Sequence, residues 1–174
     1  MRILFELDMK DYDENGSRCV RPSVRGIVIR DGKVAMVHSL KYDYYKFPGG
    51  GIEHCKTKHE TLIREVKEET GLIIIPSSIR EYGLVHRIQK GKIEDVFVQD
   101  NYYYLCEAES EMELQELDEY EAKEEFSLEF VSPQHAIDIN ITAKHGNKAQ
   151  DPRFNIMIER EICVLDRLIQ ENFC

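Results

Sequence analysis

The 174-residue chain is short of several things, and each absence excludes a class of protein. It has no apolar run near the roughly 20 residues that a membrane-spanning helix needs. It has no excess of basic residues: its formal charge of −10 argues against general nucleic-acid binding, which wants a basic face, but leaves room for a nucleotide held through metal ions. Nor does it have a disulfide framework. Cys19, Cys55, Cys106, Cys163 and Cys174 are odd in number, scattered, and follow no leading signal peptide, the pattern of reduced thiols in a soluble cytoplasmic protein. Internal repeats and low-complexity linkers are also lacking. With 42% hydrophobic and 32% charged residues, the composition is that of a globular chain with one core, too short for two ordinary domains.

What is present is concentrated between Phe47 and Leu72, where Phe-Pro-Gly-Gly-Gly leads into a glutamate-rich segment. Thr57 followed by Glu60 is a capping box, and Gly71 stands where a left-handed cap closes a helix, so the pattern predicts a helix over 58–70. On it, Glu65, Glu68 and Glu69 share one face, beside an apolar arc of Leu62, Ile63, Val66 and Thr70. Carboxylates crowded in this way repel by several tenths of a kcal/mol per pair, and a bound cation removes the repulsion. Hard oxygen donors suit Mg²⁺ or Mn²⁺ rather than zinc. The bland alternative is a solvated acidic face. Gly49, Gly50 and Gly51 permit close backbone approach to a ligand, and a glycine turn before a helix start suits phosphate oxygens.

At these residues the sequence resembles the Nudix hydrolases. Gly50, Arg64, Glu65, Val66, Glu68, Glu69, Gly71 and Leu72 match that family's signature without a gap. One position departs: Lys56 stands where the signature has its first glutamate, and Cys55 where many members carry glycine. The resemblance implies an α/β fold, an α/β/α sandwich with a mixed β-sheet between helices. It also implies metal-dependent hydrolysis of a diphosphate linkage in a nucleoside diphosphate joined to another moiety. Carried over by residue, it makes Glu65, Glu68 and Glu69 metal ligands helped by the Gly49 carbonyl, with Glu68 also catalytic and Arg64 orienting a glutamate. A further glutamate from a later loop is expected, Glu125 first and Glu124 second. More than half of the residues from Glu107 to Glu125 are acidic, however, so the bland reading there is a solvated, mobile segment.

Substrate selection falls outside the signature. Arg21 and Arg25, with Gly50 of the turn, are candidates to meet phosphate, and Tyr45 to stack on a base, although tyrosines on strands more often pack. The substrate itself is not legible. The rival readings are a Nudix-fold sensing or interaction domain impaired by Lys56, and more remotely a P-loop-like NTPase built on Gly50 to Thr57; the sequence leaves open whether Lys56 acts at the metal cluster or instead pairs with Glu60 or Glu68. A zinc site from His54, Cys55 and His59 is a poor tetrahedral set.

Along the chain, the expected elements are an N-terminal strand extension over about 1–20, strands over 24–30 and 33–39 joined at Asp31-Gly32, and a loop over 41–46. After the helix come a strand ending at Ile75-Pro76, a pair over 80–88 and 95–107, a short helix from Pro133 and a long one over 154–173. The last carries an apolar arc that packs on the sheet or contributes to a homodimer.

Overall fold

A computed structural model describes residues Met1–Cys174. The chain forms ten strands and four helices. Strands β1 (Ile3–Asp8), β2 (Arg18–Val20), β3 (Ser23–Arg30), β4 (Lys33–Ser39) and β5 (Tyr44–Lys46) precede helix α1 (Lys58–Thr70). Then follow β6 (Leu72–Ile74), β7 (Arg80–Gln89), β8 (Val96–Cys106), β9 (Ala108–Met112), α2 (Glu119–Lys123), β10 (Phe126–Val131), α3 (Pro133–Thr142) and α4 (Pro152–Gln170). The main sheet runs β1-β7-β8-β3-β4-β10, with β2 beside β8 and β5 beside β4. It is mixed: β1 pairs parallel to β7 and β3 parallel to β8, while β7–β8, β3–β4 and β4–β10 are antiparallel.

Strand alternation divides the apolar residues between two cores. On β3, Val24 and Val28 face α1, where Leu62 and Val66 meet Leu72, Ile74 and Tyr104. Ile27, one residue out of phase, joins Met36, Phe47, Tyr103 and the α4 residues Val164, Leu165 and Leu168 on the opposite face. Helices thus cover both faces, giving the α/β/α arrangement. Gly26 allows the closeness of β3 and α1, since a Cβ there would lie 2.8 Å from Val66 Cγ2.

Helix α1 has the predicted bounds. Thr57 and Glu60 form the reciprocal capping box, and Gly71 closes the helix at φ 75°. Three expectations change. The loop before the glycine turn contains β5, held by pairing to β4. The acidic segment is ordered, because β9 pairs with β6 and the backbone N–H groups of Glu113 and Glu116 donate to the carbonyls of Gly71 and Glu68, which the end of α1 leaves unpaired. The long C-terminal helix begins two residues early, where Asp151 caps it and Pro152 takes its first position. Its apolar stripe is used within the chain, with Ile156, Val164, Leu165 and Leu168 all buried.

A buried ion pair fastens α4 to the sheet. Arg160 and Glu161 are almost fully enclosed and bonded to each other. Arg160 Nη1 also donates to Asn101 Oδ1 at 2.6 Å, and Glu161 Oε2 accepts the Phe47 N–H at 3.2 Å. Removing one partner of such a pair leaves the other charged and unmatched, so Glu161→Gln is expected to destabilise the fold by about 3 kcal/mol. Leu62→Ala, which empties a fully buried site under the sheet, is expected to cost a similar amount, about 3 kcal/mol. Urea unfolding checks both as a lowered midpoint with an unchanged slope.

Candidate active site

The turn Phe47–Gly51 is built from backbone conformations and hydrogen bonds that side chains would obstruct. Gly49 has φ 135°, and a Cβ there would come 2.2 Å from the Val24 carbonyl oxygen. A Cβ on Gly50 would come 2.1 Å from Glu65 Oε2, so glycine at this position makes room for that carboxylate. The turn is stitched to β3 by Gly26 N–H donating to the Pro48 carbonyl (2.9 Å) and Val24 N–H to that of Gly50 (3.0 Å).

The glycines, Glu65, Glu69, Arg21 and Arg25 surround one polar cavity of about 300 Å³. Within and beside it, each helix carboxylate has a cationic partner. Arg64 Nη2 bonds Glu65 Oε1 and its Nη1 bonds Glu68 Oε2, both at 2.7 Å, so one guanidinium fixes two glutamates. Glu69, 2% exposed, accepts the Gly49 N–H at 2.8 Å on one oxygen and the Lys46 ammonium at 2.7 Å on the other. Burial pushes the Glu65 carboxyl above its ordinary range against the pull of Arg64, and the neighbouring Glu69 and Glu68 add to the rise.

The sequence-based site residues divide accordingly. Glu65, Glu69, Gly49, Gly50, Arg21 and Arg25 meet around the cavity, while Glu68 and Arg64 lie beside its lining. Arg25 Nη1 donates to the Gly49 carbonyl, so the oxygen assigned to a metal is engaged by a guanidinium. Tyr45 is elsewhere: β5 turns it into the α4 side of the core, where its hydroxyl donates to Glu129 and its ring stacks on His38. Glu125 is exposed with φ 56°, and Glu124 is buried with the Tyr44 hydroxyl and Lys148, so neither lines the cavity. Lys56 is exposed and makes no ion pair: Glu68 is held by Arg64, and Glu60 by Thr57. The Thr57 hydroxyl is committed to the helix cap, which removes support for a P-loop.

Sequence reasoning missed Lys46, Glu53, Gln99, Asp118 and Tyr120, all of which line the cavity. Lys46 was findable: a strand over 44–46 places it on the face opposite Tyr45. Asp118 was marked by its own capping box with Glu121. Gln99 carried no local signal, because only β8 pairing brings it near.

As for a metal, no group of three or more His, Cys, Asp or Glu side chains converges as a ready-made cage. The donors at the cavity, Glu65 and Glu69, are nevertheless hard oxygens of the number Mg²⁺ usually takes from protein, the remaining positions going to water and substrate phosphate. The room left over Gly50 for Glu65 fits the same use.

Comparison with known proteins agrees with the geometry. Residues 20–152 match the NUDIX domain family. An ADP-ribose pyrophosphatase of Methanocaldococcus jannaschii is 34% identical over 104 residues, covering 57% of this chain and 60% of that protein. An RNA pyrophosphohydrolase of Hydrogenovibrio crunogenus is 38% identical over 64 residues, 36% of this chain and 38% of that one. The chain therefore spans less than two thirds of the length of these curated relatives. Among solved structures, a MutT protein from Bacillus halodurans shares the fold with a TM-score of 0.54 at 20% identity, covering 68% of this chain and 72% of that one. A NUDIX hydrolase from Nitrosomonas europaea gives 0.55 at 16% identity, covering 81% and 87%. Since the family match spans most of the chain and contains the whole glycine turn and glutamate helix, the protein belongs to the NUDIX family.

Proposed function

We propose that the protein hydrolyses a diphosphate linkage in a nucleoside diphosphate joined to another moiety, using Mg²⁺ or Mn²⁺. The observation that carries this reading is the convergence of Glu65 and Glu69 with the Gly49–Gly51 turn on one polar cavity. Membership of a family whose relatives include an ADP-ribose pyrophosphatase and an RNA pyrophosphohydrolase supports the reaction class without naming the substrate. Residues 1–174 act as one unit on this reading, with β1 extending the sheet beside β7.

Glu65, Glu68 and Glu69 are the proposed metal-holding residues. When bound, the ion neutralises charge on the diphosphate oxygens and lowers the pKa of an attacking water. Arg64 is a positioning residue, since it holds Glu65 and Glu68 at once. Lys46 compensates the buried Glu69 carboxylate. Glu68, about one-third exposed, is the freest of the three carboxylates to take a proton from water. The late-loop role passes from Glu125 to the α2 segment, where Asp118 and Tyr120 line the cavity and Glu121 lies close enough to Glu69 for its carboxyl to be pushed up by burial and by that charge.

Hydrolysis of a panel of nucleotide diphosphates with Mg²⁺ or Mn²⁺ tests the proposal. Turnover is expected to vanish with a chelator and to fall at least 100-fold in Glu65→Gln and Glu68→Gln, about 3 kcal/mol or more of lost transition-state stabilisation. Glu125→Gln is expected to change turnover less than twofold, because its side chain is exposed and off the cavity. A second reading, a binding domain with impaired chemistry, is favoured by Lys56 in the signature and by the internal cation on Glu69. It predicts no metal-dependent turnover in the parent chain and turnover gained in Lys56→Glu.

A further inference from the structure

Next to the candidate active site is a larger cavity of about 540 Å³, and Arg21 and Gln99 line both. One face of the sheet forms its floor. Arg87 stands opposite Gln99 and Gln89 opposite Phe97 across the β7–β8 pair, with Cys19 of β2 beside Phe97. Its wall is the start of α4, where Arg153 holds both oxygens of Asp151.

Arg87 is the unusual group. It is 6% exposed, yet its hydrogen bonds go only to neutral acceptors, from Nε to Gln89 Oε1 at 2.9 Å and from Nη2 to the Arg153 carbonyl at 3.0 Å. Nη1 has no partner within the protein. The other buried guanidinium, Arg160, has Glu161 against it, and the nearby acid Asp151 is held by Arg153. Arg87 has no carboxylate within ion-pair distance, and burial together with the positive charges of Arg160, Arg25 and Arg153 outweighs the pull of Asp151 and lowers its pKa to about 9. An enclosed cation with like charges around it is costly until an anion joins it. In a chain of charge −10 this cavity is nonetheless lined by four basic residues, Arg21, Arg87, Lys92 and Arg153, against two acidic ones. A guanidinium with free donors facing a cavity matches the oxygens of a phosphate group.

We propose that this second cavity binds a phosphate monoester carried by the substrate away from the linkage that is cut, with Arg87 as its principal contact and Arg21 at the boundary between the two cavities. The substrate class is then a nucleoside diphosphate conjugate bearing one further phosphate. This rests on the reading of the neighbouring cavity as the diphosphate site. Phe97 offers a ring on the same floor against which the body of that moiety packs.

Two measurements on the whole chain test it. Binding of inorganic phosphate, followed by calorimetry without metal, is expected to weaken at least tenfold in Arg87→Gln. It should weaken less in Arg87→Lys, which keeps the charge and loses the fork, and in the exposed Lys92→Gln. With Mg²⁺, kcat/KM for ADP-ribose 2′-phosphate is expected to exceed that for ADP-ribose at least tenfold in the parent, the ratio falling toward one in Arg87→Gln. Phosphate affinity unchanged in Arg87→Gln, or a parent ratio near one, overturns the proposal. Circular dichroism checks folding, and if Arg87→Gln does not fold, unchanged phosphate affinity in Arg87→Lys overturns it equally. Arg87-dependent phosphate binding with neither compound cleaved supports the anion site and counts instead against the diphosphate hydrolase.

Discussion

The structure depends on the pinning of one irregular stretch of backbone, Phe47 to Gly51, from every side. Its amides and carbonyls lie between β5 and α1, outside the regular hydrogen-bond pattern of either element, and unpaired buried backbone groups each cost about as much as a lost hydrogen bond. Glu161 of α4 takes the Phe47 N–H, Glu69 of α1 takes the Gly49 N–H, and β3 bonds the turn at Val24 and Gly26. The turn therefore registers the helices of both layers against the sheet. Any shift of α1 along its axis would move Glu65 and Glu69 and break the turn together, so the geometry of the site is a consequence of the packing.

Charge neutralisation follows from the same placement. Glu69 is carried into the interior because it serves the turn, and a carboxylate there needs a cation, which β5 supplies as Lys46. Glu65 and Glu68 lie nearer the surface and share Arg64. The like-charge crowding evident on the helix is thus relieved by two cations of different origin, one on the helix itself and one from a strand. Arg87 is the opposite case, an enclosed cation with no carboxylate at ion-pair distance, and it lies on the floor of a cavity rather than within a core. The paired charges hold the architecture together, whereas Arg87 keeps donors free toward the cavity.

Local chemistry set α1 and its surroundings. The capping box, the terminal glycine, the apolar arc and the glycine turn act over three to five residues, so their meaning is independent of the rest of the chain, and the bounds 58–70 follow from them. The strand pairs at 24–39 and 80–107 were legible for the same reason, as alternation bounded by turns. The segment from Glu107 to Glu125 was not. Its acidity says solvent, and its order comes from the carbonyls at the end of α1 and from pairing to β6, both far from it in sequence.

The sequence by itself determined the family signature, the helix that carries its glutamates and the two-faced sheet that receives it, because each is encoded in short-range spacing. Only the tertiary structure decided that Tyr45 packs, that Glu125 stays outside, that Lys46 neutralises Glu69, and that Arg87 lies buried beside a cavity without a carboxylate partner. Those outcomes turn on which face of a strand meets which neighbour and on how far a charge is removed from water. Both are fixed by strand pairing and helix packing between residues tens of positions apart, which no local pattern records.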